Sequence, residues 1–238
     1  MSHLAYYQYQ AVARGITGPD EVRRRAEVFA YVYDRLVLPW FPRDRAGRVV
    51  ELACGHGSFL HWLKQRGFTN CRGVDSSAEQ IVHARSAGGE VIEAEAIAWL
   101  EAQPAASVEL LVAIDFIEHI SKDDFMRVLA ASHRVLVPGG RLILRYPNGD
   151  SPFVGLNLFN DITHIWTYTT NCLTSLAQMH GFARCRFVDE GAAAIRDHRW
   201  LKVPLSLITG VILRLMLQTV SREKIKYWNS CIWACLEK

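Results

Sequence analysis

The rhythm of apolar and polar positions changes near residue 48. Before it, apolar residues between Glu21 and Leu38 recur at helical spacing (Val22, Ala26, Phe29, Val32, Tyr33, Leu36). A turn at Gly18-Pro19-Asp20 precedes this helix, and Pro39 and Pro42, which cannot donate a backbone hydrogen bond, end it. After residue 48, short apolar runs alternate with amphipathic stretches. Strands are predicted at Arg48–Leu52, Cys71–Asp75, Gly89–Ala96, Ser107–Asp115, Arg141–Pro147, Ala183–Glu190 and Cys231–Lys238. Helices are predicted at Ser58–Phe68, Ala78–Gly89, Asp123–Leu136 and Asn171–Phe182, with a turn at Pro138-Gly139-Gly140. Strands that alternate with helices imply an α/β fold whose sheet is parallel, with helices on both faces. Residues 1–45 read as an N-terminal helical lid, and 46–238 as one α/β domain without repeats or low-complexity linkers.

Two segments break the pattern. Residues 151–170 (SPFVGLNLFNDITHIWTYTT) are aromatic and polar without a clean period, and they follow the fifth strand. Ligands in open α/β sheets sit beyond the carboxyl ends of the strands, so this segment is placed to roof that crevice. Residues 196–226 carry seven basic side chains against Asp197 and Glu223, around the apolar run VPLSLITGVILRLML. That run is too short for the roughly twenty residues of a membrane span. A helical insertion at about 195–226 is expected, either buried, forming a homodimer interface, or lying against anionic lipid through residues 200–226.

Composition narrows the class. The chain has 238 residues, half of them hydrophobic and 21% charged, which suits a globular domain with a substantial core. The six cysteines form no CxxC pair and are too scattered for a disulfide scaffold, so a reducing cytoplasm is expected. The N-terminal stretch has no apolar core of a signal peptide. A net charge of +3 argues for no nucleic-acid partner.

The candidate chemistry starts at Cys54-Gly55-His56-Gly57, which follows a strand and opens a helix. Two glycines let backbone approach a ligand closely, although a bare GxG is also a tight turn with no ligand. Asp75 at the tip of the second strand changes the picture, because an acid there accepts hydrogen bonds from a ribose diol. The dinucleotide fingerprint is absent. Its third glycine would fall at Leu60, and Glu51 would repel a pyrophosphate, which disfavours an NAD-dependent dehydrogenase. A cationic, ribose-bearing ligand without phosphate fits better, and S-adenosylmethionine (SAM) is one.

VVELACGHGSF, GVDSS, the acid in EAEAI, LLVAIDFIEHI and RVLVPGGRLIL occur in the order and approximate spacing of the class I SAM-dependent methyltransferases. The resemblance spans roughly residues 25–190. It implies a Rossmann-like seven-stranded sheet, mostly parallel with an antiparallel last strand, and SAM across the strand tips. It further implies that Glu51, Ala53, Cys54, Gly55 and Gly57 face the methionine end. Asp75 would hold the ribose, with Ser76 and Gln80 beside it. Glu95, where the family more often has Asp, would meet the adenine amine together with Ala96, and Ile114 and Asp115 would line the sulfonium side. Cys54 is expected to pack behind the site and not to act as a nucleophile.

Methyl transfer to a neutral hydroxyl needs a group that removes the proton. Glu118, His119 and Asp115 after the fourth strand, and Asp161 and His164 in DITHIWTYT, are the candidates. The latter stretch resembles the DxTH…(W/F)T segment of glycan-modifying and ubiquinone-type O-methyltransferases, where the histidine points toward the acceptor. His164 is therefore the expected base, with Asp161 or Glu118 orienting it or the acceptor. Asp115, Glu118, His119 and His164 also resemble the ExxEH…H pattern of small-RNA 2′-O-methyltransferases, which hold a divalent cation such as Mg²⁺ or Mn²⁺. Trp166 and Tyr168 are candidates for stacking on a sugar, and Tyr6, Tyr7 and Tyr9 for covering the cofactor. The expected activity is methylation of a hydroxyl, on a sugar of a surface polysaccharide or lipid-linked glycan, by a cytoplasmic enzyme that is peripheral at the inner face of the membrane. A quinone- or phenol-type O-methyltransferase and a non-catalytic SAM-binding partner subunit are the alternatives.

Overall fold

Apolar runs alternating with helices form the strands β1 (Val49–Leu52), β2 (Cys71–Asp75), β3 (Val91–Glu93), β4 (Val108–Ile114) and β5 (Leu136–Pro147). β6 (Arg184–Asp189) and β7 (Cys231–Glu237) complete the sheet. The computed structural model describes residues 18–190, 208–212, 215, 219 and 226–238. Its seven strands lie in the order β3-β2-β1-β4-β5-β7-β6. β1 to β5 are parallel, and β7 runs antiparallel to both β5 and β6. Chain order reverses between β2 and β4 on either side of β1, so a crevice opens at the tips of β1 and β4.

The helices are α1 (Pro19–Val32), α2 (Ser58–Gln65), α3 (Ala78–Ser86), α4 (Ala96–Ala102), α5 (Lys122–Val135), the short α6 (Gly155–Leu158) and α7 (Thr170–Met179). Alternation along the strands divides the core in two. Val50, Leu52, Leu111, Ala113, Leu142 and Leu144 pack with Leu100, Phe125, Leu129 and Leu173 on one face. Val49, Leu110, Val112, Ile143 and Trp233 pack with Tyr33, Phe59, Trp62 and Ile81 on the other.

Three expectations need correction. The described part of the N-terminal segment is not a lid. Val22 and Ala26 are buried, and the Tyr33 ring meets Phe59, Trp62 and Trp233 edge-on at 5.0, 5.2 and 5.9 Å. Asp34 then locks the segment to α2 through Arg66 (2.7 Å to Nε) and Trp62 Nε1 (3.1 Å). The third strand is shorter than predicted, because the Glu95 carboxylate accepts the Ala98 N–H at 2.7 Å and starts α4. The fifth strand begins earlier, at Leu136, and Pro138–Gly140 forms a bulge within it at the register shift against β4. Tyr6, Tyr7, Tyr9 and most of the 195–226 insertion lie outside the described residues.

Gly73 in β2 makes room for the loop that follows β1. A Cβ there would sit 2.4 Å from Cys54 Sγ and 2.7 Å from Leu60 Cδ1. G73A is expected to destabilise the fold by about 1–3 kcal/mol through overpacking, measured by urea unfolding. An unchanged midpoint would show that the Cys54 loop yields without cost.

Candidate active site

The crevice is built from β1 outward. Beyond Leu52 the chain turns through Ala53 (φ 52°), Gly55 (φ 50°) and Gly57 (φ 78°), a left-handed run that presents the loop to the tips of β1 and β2. Gly57 also permits the approach of α3, since a Cβ there would come 2.7 Å from Ala84 Cβ. The Asp75 carboxylate holds the loop: Oδ2 accepts the Gly55 N–H (2.7 Å) and Oδ1 the Ser77 N–H (2.8 Å). Burial raises the Asp75 pKa, and the hydrogen bonds from Ser77, Gly55 and Ser76 work against that rise. Each oxygen keeps a further lone pair for a ribose hydroxyl.

Glu51 pairs in register with Gly73 and Val112, in the middle of the sheet, and is 3% exposed. Its Oε2 has no hydrogen-bond partner among the described residues. Burial, and then the neighbouring Asp75, push its acid well above the usual carboxylate range. The folded state therefore holds this proton more tightly than the unfolded chain does. The resulting stability is present at low pH and is lost as pH rises through the folded value. A cation bound beside Glu51 favours its ionised form. SAM binding is expected to tighten as pH rises and to expel a proton, and E51Q is expected to remove both effects. Calorimetry in buffers of differing ionisation enthalpy reads this directly, and pH-independent binding by the wild type would separate Glu51 from the cofactor.

A second group stands beyond β4. A single 3-10 turn (Ile117–His119) places Glu118, 1% exposed, under the roof, and its carbonyl oxygen accepts the N–H groups of Ile165 (2.7 Å) and Trp166 (3.4 Å). The rings of His119 and His164 meet edge-to-face with centroids 4.6 Å apart. Donor atoms of Glu118, His119 and His164 all lie within 4.8 Å of one another.

Hydrogen bonds set the tautomers. The Thr163 hydroxyl has one hydrogen and gives it to Asp161 Oδ1 at 2.6 Å, so at 2.9 Å it accepts from His119 Nδ1–H. His164 Nδ1 donates to the carbonyl oxygens of Asn157 (3.0 Å) and Leu158 (3.1 Å). With Nδ1 donating, each ring presents Nε2 as its other nitrogen. Burial and the adjacent His164 lower the His119 pKa to about 4. Burial, and then Asp115, push the Glu118 acid well up. Burial opposes the charge of Asp161, but hydrogen bonds from Thr163 and the nearby imidazoles hold its pKa below normal.

Residues 22–184 match a family described as "Methyltransferase domain". The chain belongs to this methyltransferase family. No curated protein matches it. Among solved structures it is similar to a SAM-dependent methyltransferase from Archaeoglobus fulgidus, with a TM-score of 0.70 at 19% identity over 98% of this chain and 99% of that one. A Thermotoga maritima SAM-dependent methyltransferase, described as a "possible histamine N-methyltransferase", follows at 0.64 and 18% identity over 99% and 98%. The phosphoethanolamine N-methyltransferase 2 of Haemonchus contortus, solved with S-adenosylhomocysteine, gives 0.57 and 13% over 89% and 51%. At such identities these likenesses show the fold.

This methyltransferase brings Glu51, Ala53, Cys54, Gly55, Gly57, Asp75 and Ser76 to the tips of its first two strands. Gln80 joins them from α3: its Oε1 would lie 4.0 Å from a Cβ on Gly55. Glu95 and Ala96 stand past β3, and Ile114 and Asp115 end β4. Cys54 is buried, and burial pushes its thiol well above the ordinary range, which disfavours the thiolate a nucleophile needs.

Asp115 is not placed as a metal ligand. It has left-handed φ (51°), and Arg145 Nη1 bonds both of its carboxylate oxygens. Arg145 also grips Glu190 (2.6 and 3.2 Å), which in turn accepts Trp233 Nε1–H at 2.9 Å. The sequence reading missed Arg145 and Glu190. The available signal was the second of the two arginines in RLILRYP, Arg145, set between apolar residues of a strand. The Asp161 side chain reaches His119 through Thr163, whereas backbone carbonyls orient His164. Tyr168 is buried against Phe125 (centroids 4.6 Å) and does not offer a stacking face to a sugar. Trp166 is 45% exposed, with Lys122 Nζ 3.6 Å from its ring centroid.

Proposed function

We propose that this methyltransferase moves the SAM methyl group to a hydroxyl oxygen, on a sugar of a lipid-linked or surface glycan. The observation that carries the oxygen acceptor is the Nε2 lone pair of His164, held in place by two carbonyls beside a second neutral imidazole. The hydroxyl proton passes to His164 Nε2, the oxygen attacks the methyl carbon, and the C–S electron pair returns to sulfur, leaving S-adenosylhomocysteine. His119, with its pKa near 4, stays neutral at physiological pH and is too weak a base to replace His164.

An apolar rim supports a lipid-linked acceptor. Leu156, Phe159, Ile162 and Ile165, all more than half exposed, surround His164 in sequence, and Ile208, Val211, Ile212 and Leu215 of the insertion are likewise exposed. With the basic side chains of 196–226, this composition suits peripheral contact with anionic lipid on the cytoplasmic side. No helix among the described residues is long and apolar enough to cross a membrane.

Release of S-adenosylhomocysteine is to be followed with lipid-linked and nucleotide sugars, phenols and primary amines as acceptors, and the product located by mass spectrometry. An O-methylated sugar is expected. An O-methylated phenol would move the acceptor to the quinone class, and turnover with amines alone would remove the oxygen assignment.

A further inference from the structure

Arg145 sits in β5 two residues beyond the core residue Ile143, and so on the same face of the sheet. It pairs in register with Ile114 and Trp233, and its side chain is 14% exposed. Both ends of its guanidinium are taken. Nη1 bonds the two carboxylate oxygens of Asp115, at 2.6 Å for Oδ2, while Nε and Nη2 reach Glu190 at 2.6 and 3.2 Å. The Arg145 carbonyl also accepts the Asp115 N–H at 3.0 Å. Main chain and side chain of one residue thus hold Asp115, the first residue past β4, in its left-handed conformation. Burial opposes the Arg145 charge, but Asp115 and Glu190 outweigh it and raise its pKa further. Taking such an ion group out of water is costly, and no step of methyl transfer draws a proton from it.

Asp115 keeps 46% of its side chain exposed at the β4 rim of the crevice. A bare carboxylate there would attract the sulfonium of SAM. S-adenosylhomocysteine has a neutral sulfur and would feel no such pull. The pull would also fade during transfer, as charge leaves sulfur, and so add to the barrier. We infer that Arg145 is a positioning residue which, through Asp115, sets how strongly the site prefers the charged sulfur of SAM to the neutral sulfur of S-adenosylhomocysteine. In the proposed cradle Glu51 and Asp75 act on the amino-acid and ribose parts, which both ligands share, so they do not set this preference. The inference rests on that cradle and not on the nature of the acceptor.

The test is calorimetric titration of the full chain with SAM and with S-adenosylhomocysteine, near neutral pH and at low ionic strength. The readout is the ratio of the two dissociation constants. R145Q frees the Asp115 carboxylate and should raise the preference for SAM by about 3- to 30-fold. D115N leaves the guanidinium facing the rim and should lower it by a similar factor. R145Q/D115N should return the ratio to within about threefold of wild type, and so should R145K, which keeps the charge while losing the fork. A purely structural role would weaken both ligands alike. An unchanged ratio in R145Q and D115N, or a shift of the same sign in both, therefore overturns the inference. Where R145Q does not fold, D115N decides, because its side chain is half exposed and Asn tolerates the left-handed backbone. Wild type that binds neither ligand removes cradle and inference together, whereas failure confined to the ratio leaves the cradle standing.

Discussion

H164A is expected to lower turnover by about 10²- to 10⁴-fold, the usual contribution of a positioned acid–base group, while SAM binds as it does to wild type. The separation follows from where His164 stands. Its ring belongs to the roof after β5 and is tied to Asn157 and Leu158, whereas the proposed cofactor cradle is made by β1, β2 and their loops. His119 cannot take over near neutral pH, because burial keeps its pKa near 4. The loss falls on kcat, because the proton moves only in the chemical step. Steady-state rates and SAM calorimetry on the same preparation measure both halves. Full activity in H164A would remove this histidine from the reaction.

D75A should have the largest effect on the cofactor. Asp75 holds the Gly55 and Ser77 amides, and in the proposed cradle its remaining lone pairs accept from the ribose diol. Charge-assisted hydrogen bonds contribute about 1.5–3 kcal/mol each, so losing two to ribose weakens SAM by roughly 10²- to 10³-fold or more. Gly55 N–H would also lose its acceptor, and the loop would drift from the crevice. D75N should fall between, because its carbonyl oxygen can still accept one of these bonds. Calorimetric titration with SAM decides it, and a D75A affinity within about threefold of wild type would break the cradle assignment.

Much of this was readable along the chain because it is local. Short apolar runs, glycine stops and proline breaks report on a few neighbouring residues, and they placed most strands and helices within a few positions. The miss at α4 has a physical cause: Glu95 caps that helix, and glutamate is a poor cap signal beside Ser, Thr, Asp or Asn. Sequence also marked the acids at the tips of β1 and β2, because a carboxylate stands out in apolar strands. It could not show that Asp115 is committed, since its partner Arg145 lies 30 residues on and the next link, Glu190, a further 45.

The amino-acid order by itself determined the alternation of strands and helices, the glycine turn, the acidic strand tips and, through them, a methyltransferase. Those features depend on backbone preferences and spacing within each element. Tertiary structure alone decided that α1 belongs to the core, that Asp161 acts on His119 through Thr163, and that Glu118, His119 and His164 meet while Asp115 turns away. These outcomes depend on which side chains packing brings together across long separations. They also depend on which buried polar atoms find partners there, and neither is encoded in any short stretch of the chain.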